Sequence, residues 1–110
     1  MSGGLYHHKT YSRRRTIELS RRLDKHDPDA ILEALQEGSY FCKVKAMITC
    51  AKFNIKSDEI IEEIKQLKKI ETVMFGSAVG EYAEATLHVL NVEKYKGDNP
   101  FVLGLIDSGI

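Results

Sequence analysis

The chain is organised around residues 39–55, SYFCKVKAMITCAKFNI. Apolar residues recur in this stretch at the spacing that places side chains on one face of an α-helix. The face consists of Tyr40, Phe41, Val44, Met47, Ile48 and Ala51, and it is widened by Cys42, Ala46 and Cys50. The pattern predicts a largely buried helix that neighbouring elements must cover.

Further helices are predicted on both sides of this stretch. Asp27-Pro28, Ser39 and Ser57 mark helix starts, because Asp and Ser side chains cap helix N-termini and proline suits the first turn. Gly38 ends the helix that precedes residue 39, as a glycine after the last turn often does. Residues 70–76, IETVMFG, fit an extra turn, a packed loop or a continuation of the preceding helix. The other predicted helices are residues 10 or 11 to 23, residues 28–37, a helix after Ser57, residues 77–92 and residues 101–107.

The composition is that of one globular domain, since the chain has 110 residues, of which 43% are apolar and 29% charged. No apolar run approaches the roughly 20 residues that a membrane span needs, and the N-terminal residues are polar and basic instead of signal-like. Cys42 and Cys50 lie too far apart on one helix to form a disulfide. We expect free thiols, a cytoplasmic location, a flexible start at residues 1–9 and a single domain at residues 10–110.

An internal repeat relates the predicted helices. Residues 29–35 and 58–64 align with matching apolar positions, and residues 99–105 fit the same pattern. The longer helices that follow also align, with Cys42, Ala46 and Cys50 matching Val79, Ala83 and Leu87. Each unit is a short helix, a tight turn and a longer helix, and units of this kind cover one another's apolar faces.

The second helix of each unit resembles that of HEAT and armadillo repeats, which opens with an aliphatic residue, a basic residue and, three positions later, an alanine. Cys42-Lys43 with Ala46 follows this pattern, whereas Val79-Gly80 with Ala83 lacks the basic residue. The family's Asp/Arg ladder between units is absent. The resemblance covers roughly residues 27–107 and implies an all-α fold of about six helices in stacked, HEAT-like hairpins. An irregular helix bundle remains the alternative.

Charge is unevenly distributed along the chain, although the formal net charge is zero. Residues 1–26 contain seven basic and two acidic residues, a net charge of +5, and the other 84 residues have a net charge of −5. The basic segment contains Arg13, Arg14, Arg15, Arg21 and Arg22, which are candidates for binding nucleic-acid phosphates. The competing interpretation is a solvated first helix whose arginines pair with carboxylates of the second. The sequence pI of about 6.9 favours this second interpretation.

No catalytic motif is present: the chain lacks a P-loop, HExxH, GxSxG and paired CxxC motifs. His7, His8, His26 and His88 have no metal-ligand spacing. Glu84 and His88 share a helix face at i, i+4 and could transfer a proton, but no nucleophile accompanies them, and an ordinary exposed pair explains them equally. We therefore predict a protein that is not an enzyme and needs neither metal nor cofactor.

These features predict a non-catalytic protein-binding module. In size and in its acidic body the chain resembles some bacterial immunity proteins, which cover the basic cleft of a toxin domain with carboxylates. The resemblance implies a toxin as partner. The alternatives are a nucleic-acid-binding helical domain that uses the arginine cluster, and a homodimer sealed by the apolar residues 101–110. The candidate partner-binding residues are Glu59, Glu62, Glu63, Glu81, Glu84 and His88.

Overall fold

The computed structural model describes residues 13–97, 102 and 104, and it is mostly helical, which confirms the all-α class. A 3-10 turn at Leu67–Lys69 follows the fourth helix, and a short β-hairpin precedes the fifth. The helices of residues 13–97 are α1 (Arg13–Asp24), α2 (Pro28–Glu37), α3 (Tyr40–Phe53), α4 (Asp58–Gln66) and α5 (Val79–Val89), and the strands are β1 (Val73–Met74) and β2 (Ser77–Ala78).

The predicted helix starts are confirmed by their capping hydrogen bonds. The side chains of Asp27, Ser39 and Ser57 each accept a hydrogen bond from the backbone N–H two or three residues later, which satisfies a donor that the helix itself leaves unpaired. At the other end of α2, the Gly38 N–H donates to the Ala34 carbonyl. Local side-chain chemistry therefore fixes where three of the helices begin.

Helix α3 lies at the centre of the packing and contacts α1, α2 and α5. Helix α4 contacts both α2 and α5, so the α2–α3 pair lies beside the α4–α5 pair, with α2 against α4 and α3 against α5. Val44, Met47 and Cys50 of α3 are fully buried together with Ile64 of α4 and Leu87 of α5. The predicted burial of α3 is confirmed at these positions, where other helices cover it.

Three side chains of α3 that carry a thiol or an ammonium group are buried. Cys42 and Cys50 are buried free thiols, as predicted, and burial raises the pKa of Cys50 to about 12. The Lys43 ammonium donates hydrogen bonds to the carbonyls of Gly38 (3.0 Å) and Ala34 (3.5 Å), where a cation suits the carbonyl end of α2. Burial lowers the pKa of Lys43.

Residues 70–76 contain the start of a β-hairpin, which resolves an ambiguity in the sequence. Val73 pairs with Ala78 and Met74 with Ser77 in antiparallel register. The prediction that a helix begins at Ser77 is therefore wrong by two residues: Ser77 and Ala78 belong to a strand, and α5 runs from 79 to 89 instead of to 92.

The N-terminus of α5 is held against the segment before the hairpin. The backbone N–H groups of Val79 and Gly80 donate to the carbonyls of Thr72 and Ile70, both at 2.8 Å, and so replace a side-chain cap. A Cβ atom on Gly80 would lie 2.3 Å from the Lys68 carbonyl oxygen. Only glycine allows the backbone to approach this closely.

The predicted flexible start and homodimer segment lie largely outside the described residues. Of the predicted last helix, the structure describes Val102 and Gly104; both are helical, and Val102 is fully buried in the core. Among the described residues, no helix has both the length and the apolar character that crossing a bilayer requires.

Candidate functional site

One face of α3 lines an open groove instead of packing in the core. The residues of α3 that line it are Phe41, Lys45, Ile48, Thr49, Lys52 and Phe53. The prediction that Tyr40 and Phe41 are buried is wrong, because their side chains are 41% and 39% exposed. The helices α2 and α5 pack on other faces of α3, whereas the described residues that line this face from outside α3 are Leu23, Asp24 and His26 on one side and Phe75 on the other. The apolar periodicity thus marks two faces, one packed and one open.

The groove, which we call the aromatic groove, has a volume of about 300 Å³ and an apolar floor with an aromatic rim. Its walls are formed by Asp24 and His26 on one side and by Phe75 at the hairpin tip on the other. Leu23 and Ile48 are buried in the floor, and the rim residues Phe41, Phe53 and Phe75 are 39%, 47% and 43% exposed.

Aromatic contacts connect α3 to both walls. The ring centroids of Phe41 and Phe75 are 6.0 Å apart with the rings tilted by 58°, within the usual range for aromatic pairs. At the other end of α3, the His26 and Phe53 rings lie 3.8 Å apart. The rim side chains are therefore exposed to solvent and at the same time held in position.

The backbone of Phe75 is strained. Its φ of 54° and the φ of 87° at Gly76 place both turn residues in the left-handed region, which suits Asn-Gly or Gly-Gly and disfavours a bulky residue. The buried Tyr82 hydroxyl donates to the Phe75 carbonyl (3.4 Å) and fastens the turn to α5. Burial raises the pKa of Tyr82, so this hydroxyl keeps its proton. Backbone strain of this kind concentrates at functional sites. Because the Phe75 ring is exposed, packing in the core does not account for the strain.

The polar residues of the groove are unequally paired. The Lys45 ammonium lies 2.8 Å from an Asp24 carboxylate oxygen and donates to the Ser20 hydroxyl at 2.6 Å. The Lys52 ammonium lies 5.7 Å from the centroid of the Phe53 ring and, among the described residues, forms no salt bridge. The groove therefore has one carboxylate that is already neutralised and one lysine that is not.

The predicted acidic residues of α4 lie on its outer side. Glu59 and Glu62 are exposed, and Glu63 is half-buried and accepts a hydrogen bond from the Gln36 amide of α2 at 3.3 Å. Glu63 therefore lies next to α2, and Glu59 and Glu62 are exposed to solvent. The structure shows these residues at the surface, but none of them lines the aromatic groove.

The predicted partner-binding residues of α5 are Glu81, Glu84 and His88, and other charged residues lie close to them. Glu81 and Glu84 are half-buried, and Glu84 lines a surface pocket of about 550 Å³ with Lys68, Lys94 and other charged residues. His88 Nδ1 accepts a hydrogen bond from the Tyr95 backbone N–H at 3.1 Å. This nitrogen of His88 thus has a structural partner outside the Glu84–His88 pair.

The arginine cluster is largely paired within the domain. Glu33 of α2 forms salt bridges with Arg15 (3.5 Å) and Arg22 (3.0 Å), and Arg22 also contacts Asp27 at 3.3 Å. The hydrogen bond with Glu33 raises the pKa of Arg22. Arg14 pairs with Glu18 at 3.7 Å. The interpretation that the arginines pair with carboxylates of the second helix is confirmed for Arg15 and Arg22.

Within residues 13–97, 102 and 104, no three His, Cys, Asp or Glu side chains come together in a way that could hold a metal ion. Comparison of the chain with models of protein families, with curated proteins and with solved structures finds no match. Function must therefore be inferred from the geometry of the surfaces themselves.

Sequence analysis missed the aromatic groove, although two signals of it are present in the chain. Phe41 and Phe53 lie on the edge of the apolar face of α3, where a residue can either pack or stay exposed. Phe75-Gly76 lies between Val73-Met74 and Ser77-Ala78, which is a weak hairpin signal because phenylalanine is not a usual turn residue. Neither signal shows on its own that the three phenylalanines meet.

Proposed function

We propose that this protein is a non-catalytic protein-binding module that binds its partner through the aromatic groove. The observation that supports this most directly is the exposure of three phenylalanines around a buried apolar floor. Aromatic anchors beside a desolvated pocket are typical of binding hot spots, and apolar patches of this kind on a domain surface usually mark interaction sites. The strained turn at Phe75 agrees with a ring held out for contact.

The packing of the helices supports the stacked-hairpin interpretation that the HEAT resemblance suggested. Helices α2 and α4 form one layer and α3 and α5 the other, as two side-by-side hairpins would. Such stacks present extended surfaces, so a binding module of this architecture has room for more than one contact region. In an immunity-like role, the carboxylates Glu59, Glu62 and Glu63 would form a second region that faces a basic toxin cleft.

Nucleic-acid binding is the second candidate, and the structure favours it less. Arg15 and Arg22 are bonded to Glu33, so binding of phosphates would have to break or compete with these pairs. Arg13 and Arg21 are exposed and remain the better candidates within the cluster. A binder that neutralises few phosphates has low affinity at physiological salt.

The proposal is tested by site-specific photo-cross-linking in the cells that produce the protein. The photoreactive residue p-benzoylphenylalanine replaces Phe41 or Phe75 in the groove, and Tyr40 in the control. Tyr40 is a matched control because it precedes Phe41 on the same helix, is equally exposed and does not line the groove.

We expect positions 41 and 75 to cross-link to the same protein, and position 40 to give little or none of this product. Cross-links to nucleic acid would support the second candidate instead. Absence of a protein adduct at both groove positions, or an adduct that forms equally from position 40, would contradict the assignment of the groove as the binding surface.

A further inference from the structure

We infer that the occupant of the aromatic groove is an amphipathic α-helix of the partner that carries a carboxylate against Lys52. This inference rests on the proposed function, since it specifies the partner of the same groove. Three features of the described residues carry it: the α3 side of the groove, the shortness of the strands and the charge of Lys52, which forms no salt bridge among these residues.

One side of the groove is formed by a face of α3. Phe41, Lys45, Ile48 and Lys52 follow one another on this face at intervals of four, three and four, so this side of the groove is about 17 Å long at about 1.5 Å per residue. Helix-in-groove recognition uses apolar anchors at i, i+3, i+4 and i+7, and one further anchor at i+11 extends this series to the same length, in about three turns. A helix that lies along α3 could therefore place its anchors between the phenylalanines of the rim.

An extended peptide fits the groove less well. Binding as an added strand needs an exposed strand edge whose N–H and C=O groups can pair with the peptide. In the described part of the chain, β1 and β2 are only two residues long and pair with each other. The backbone of a bound helix is satisfied internally, so it needs no such edge.

Charge determines which amphipathic helix is favoured. The Asp24 carboxylate is bonded to Lys45, so within residues 13–97, 102 and 104 Lys52 is the groove lysine without a salt bridge. A glutamate or aspartate on the flank of the partner helix would pair with Lys52. A single free lysine is a poor site for single-stranded nucleic acid, whose binding grooves carry several cations along the backbone.

The experiment is a selection from a displayed library of random peptides of about 16 residues, which is long enough for three helical turns. The full-length protein is the bait, and a Phe41→Ser/Phe75→Ser variant removes peptides that bind elsewhere. Tyr40→Ser serves as the matched bait that should still retain the selected peptides. Circular dichroism of each bait verifies that it is folded.

We expect the enriched peptides to share apolar residues at helical spacing and an acidic residue on one flank. A charge exchange then tests the contact with Lys52. Lys52→Glu should weaken binding of an enriched peptide by up to about fivefold, the upper range for an exposed ion pair. Exchange of the peptide's acidic residue for lysine should restore its affinity for this variant.

Several results would overturn the inference. One is enrichment of extended or basic peptides, and another is the absence of enrichment over the Phe41→Ser/Phe75→Ser bait. A third is a peptide affinity that changes neither with Lys52→Glu nor with the exchange of the peptide's acidic residue for lysine. Groove-dependent dimerisation in sedimentation would identify a second copy as the occupant, and groove-dependent binding of a labelled oligouridine would identify nucleic acid. If any of these occurs while positions 41 and 75 still cross-link to a partner protein, the helix inference fails and the proposed function stands.

Discussion

The strain at Phe75 makes a prediction about stability and binding that is specific to this turn. A left-handed backbone costs about 1–2 kcal/mol for a residue with a Cβ, and asparagine tolerates it better than other residues. Phe75→Ala and Phe75→Asn both remove the ring and its contact with Phe41, but only asparagine relieves the strain. We therefore expect Phe75→Asn to be more stable than Phe75→Ala by about 1 kcal/mol.

The assay is urea unfolding followed by circular dichroism at several temperatures. For a domain of this size, a difference of about 1 kcal/mol corresponds to about 4 °C in Tm. Both variants should lose most of the binding to the partner identified by cross-linking, because both lack the ring. Equal stability of the two variants would show that the turn is not strained, and full binding by Phe75→Asn would exclude the Phe75 ring from the contact surface.

Three further predictions concern the elements that support the site. Gly80→Ala should destabilise the fold by about 1–3 kcal/mol in chemical unfolding, because its Cβ would lie 2.3 Å from the Lys68 carbonyl oxygen; an unchanged unfolding midpoint would contradict the close packing. Tyr82→Phe should cost about 1 kcal/mol and weaken partner binding, since it removes the hydrogen bond that holds the Phe75 turn; wild-type affinity would show that the turn needs no such support. The pKa of Cys50 is about 12 in the folded protein and 9.0 for an exposed thiol, so its stabilising contribution is complete below pH 9 and is lost as the pH rises towards 12. Unfolding midpoints measured across this pH range should fall more steeply for the wild type than for Cys50→Ala. Parallel curves would show that the pKa of Cys50 is not raised in the folded protein.

Helix boundaries could be predicted where the signal is local. Asp27, Ser39 and Ser57 cap helices at the positions that the sequence predicts, because a cap depends only on residues within one turn. The hairpin could not be predicted with the same certainty. Strands of two residues have no periodicity to detect, and the turn uses Phe75, a residue that turns disfavour.

The candidate site could be predicted less well, for a different physical reason. Apolar periodicity on α3 shows which residues can be buried, but burial of Phe41 depends on which distant elements cover it. Similarly, the charge of Arg22 and Glu63 could be read directly, whereas their partners Glu33 and Gln36 depend on how α2 packs. The sequence indicated charged faces correctly and could not indicate the surface formed by residues 23–26, α3 and Phe75 together.

The central claim is that the partner is held mainly by the aromatic groove and not by the acidic residues of α5. Its most direct test is a calorimetric titration of the purified, cross-link-identified partner against Phe41→Ser and Tyr40→Ser, with Glu81→Lys/Glu84→Lys as a charge control. The account predicts that Phe41→Ser weakens binding by about tenfold or more, as truncation of a hot-spot residue does, and that the other two variants bind within about twofold of the wild type. Equal affinity of Phe41→Ser and Tyr40→Ser, with loss confined to the charge control, would contradict it.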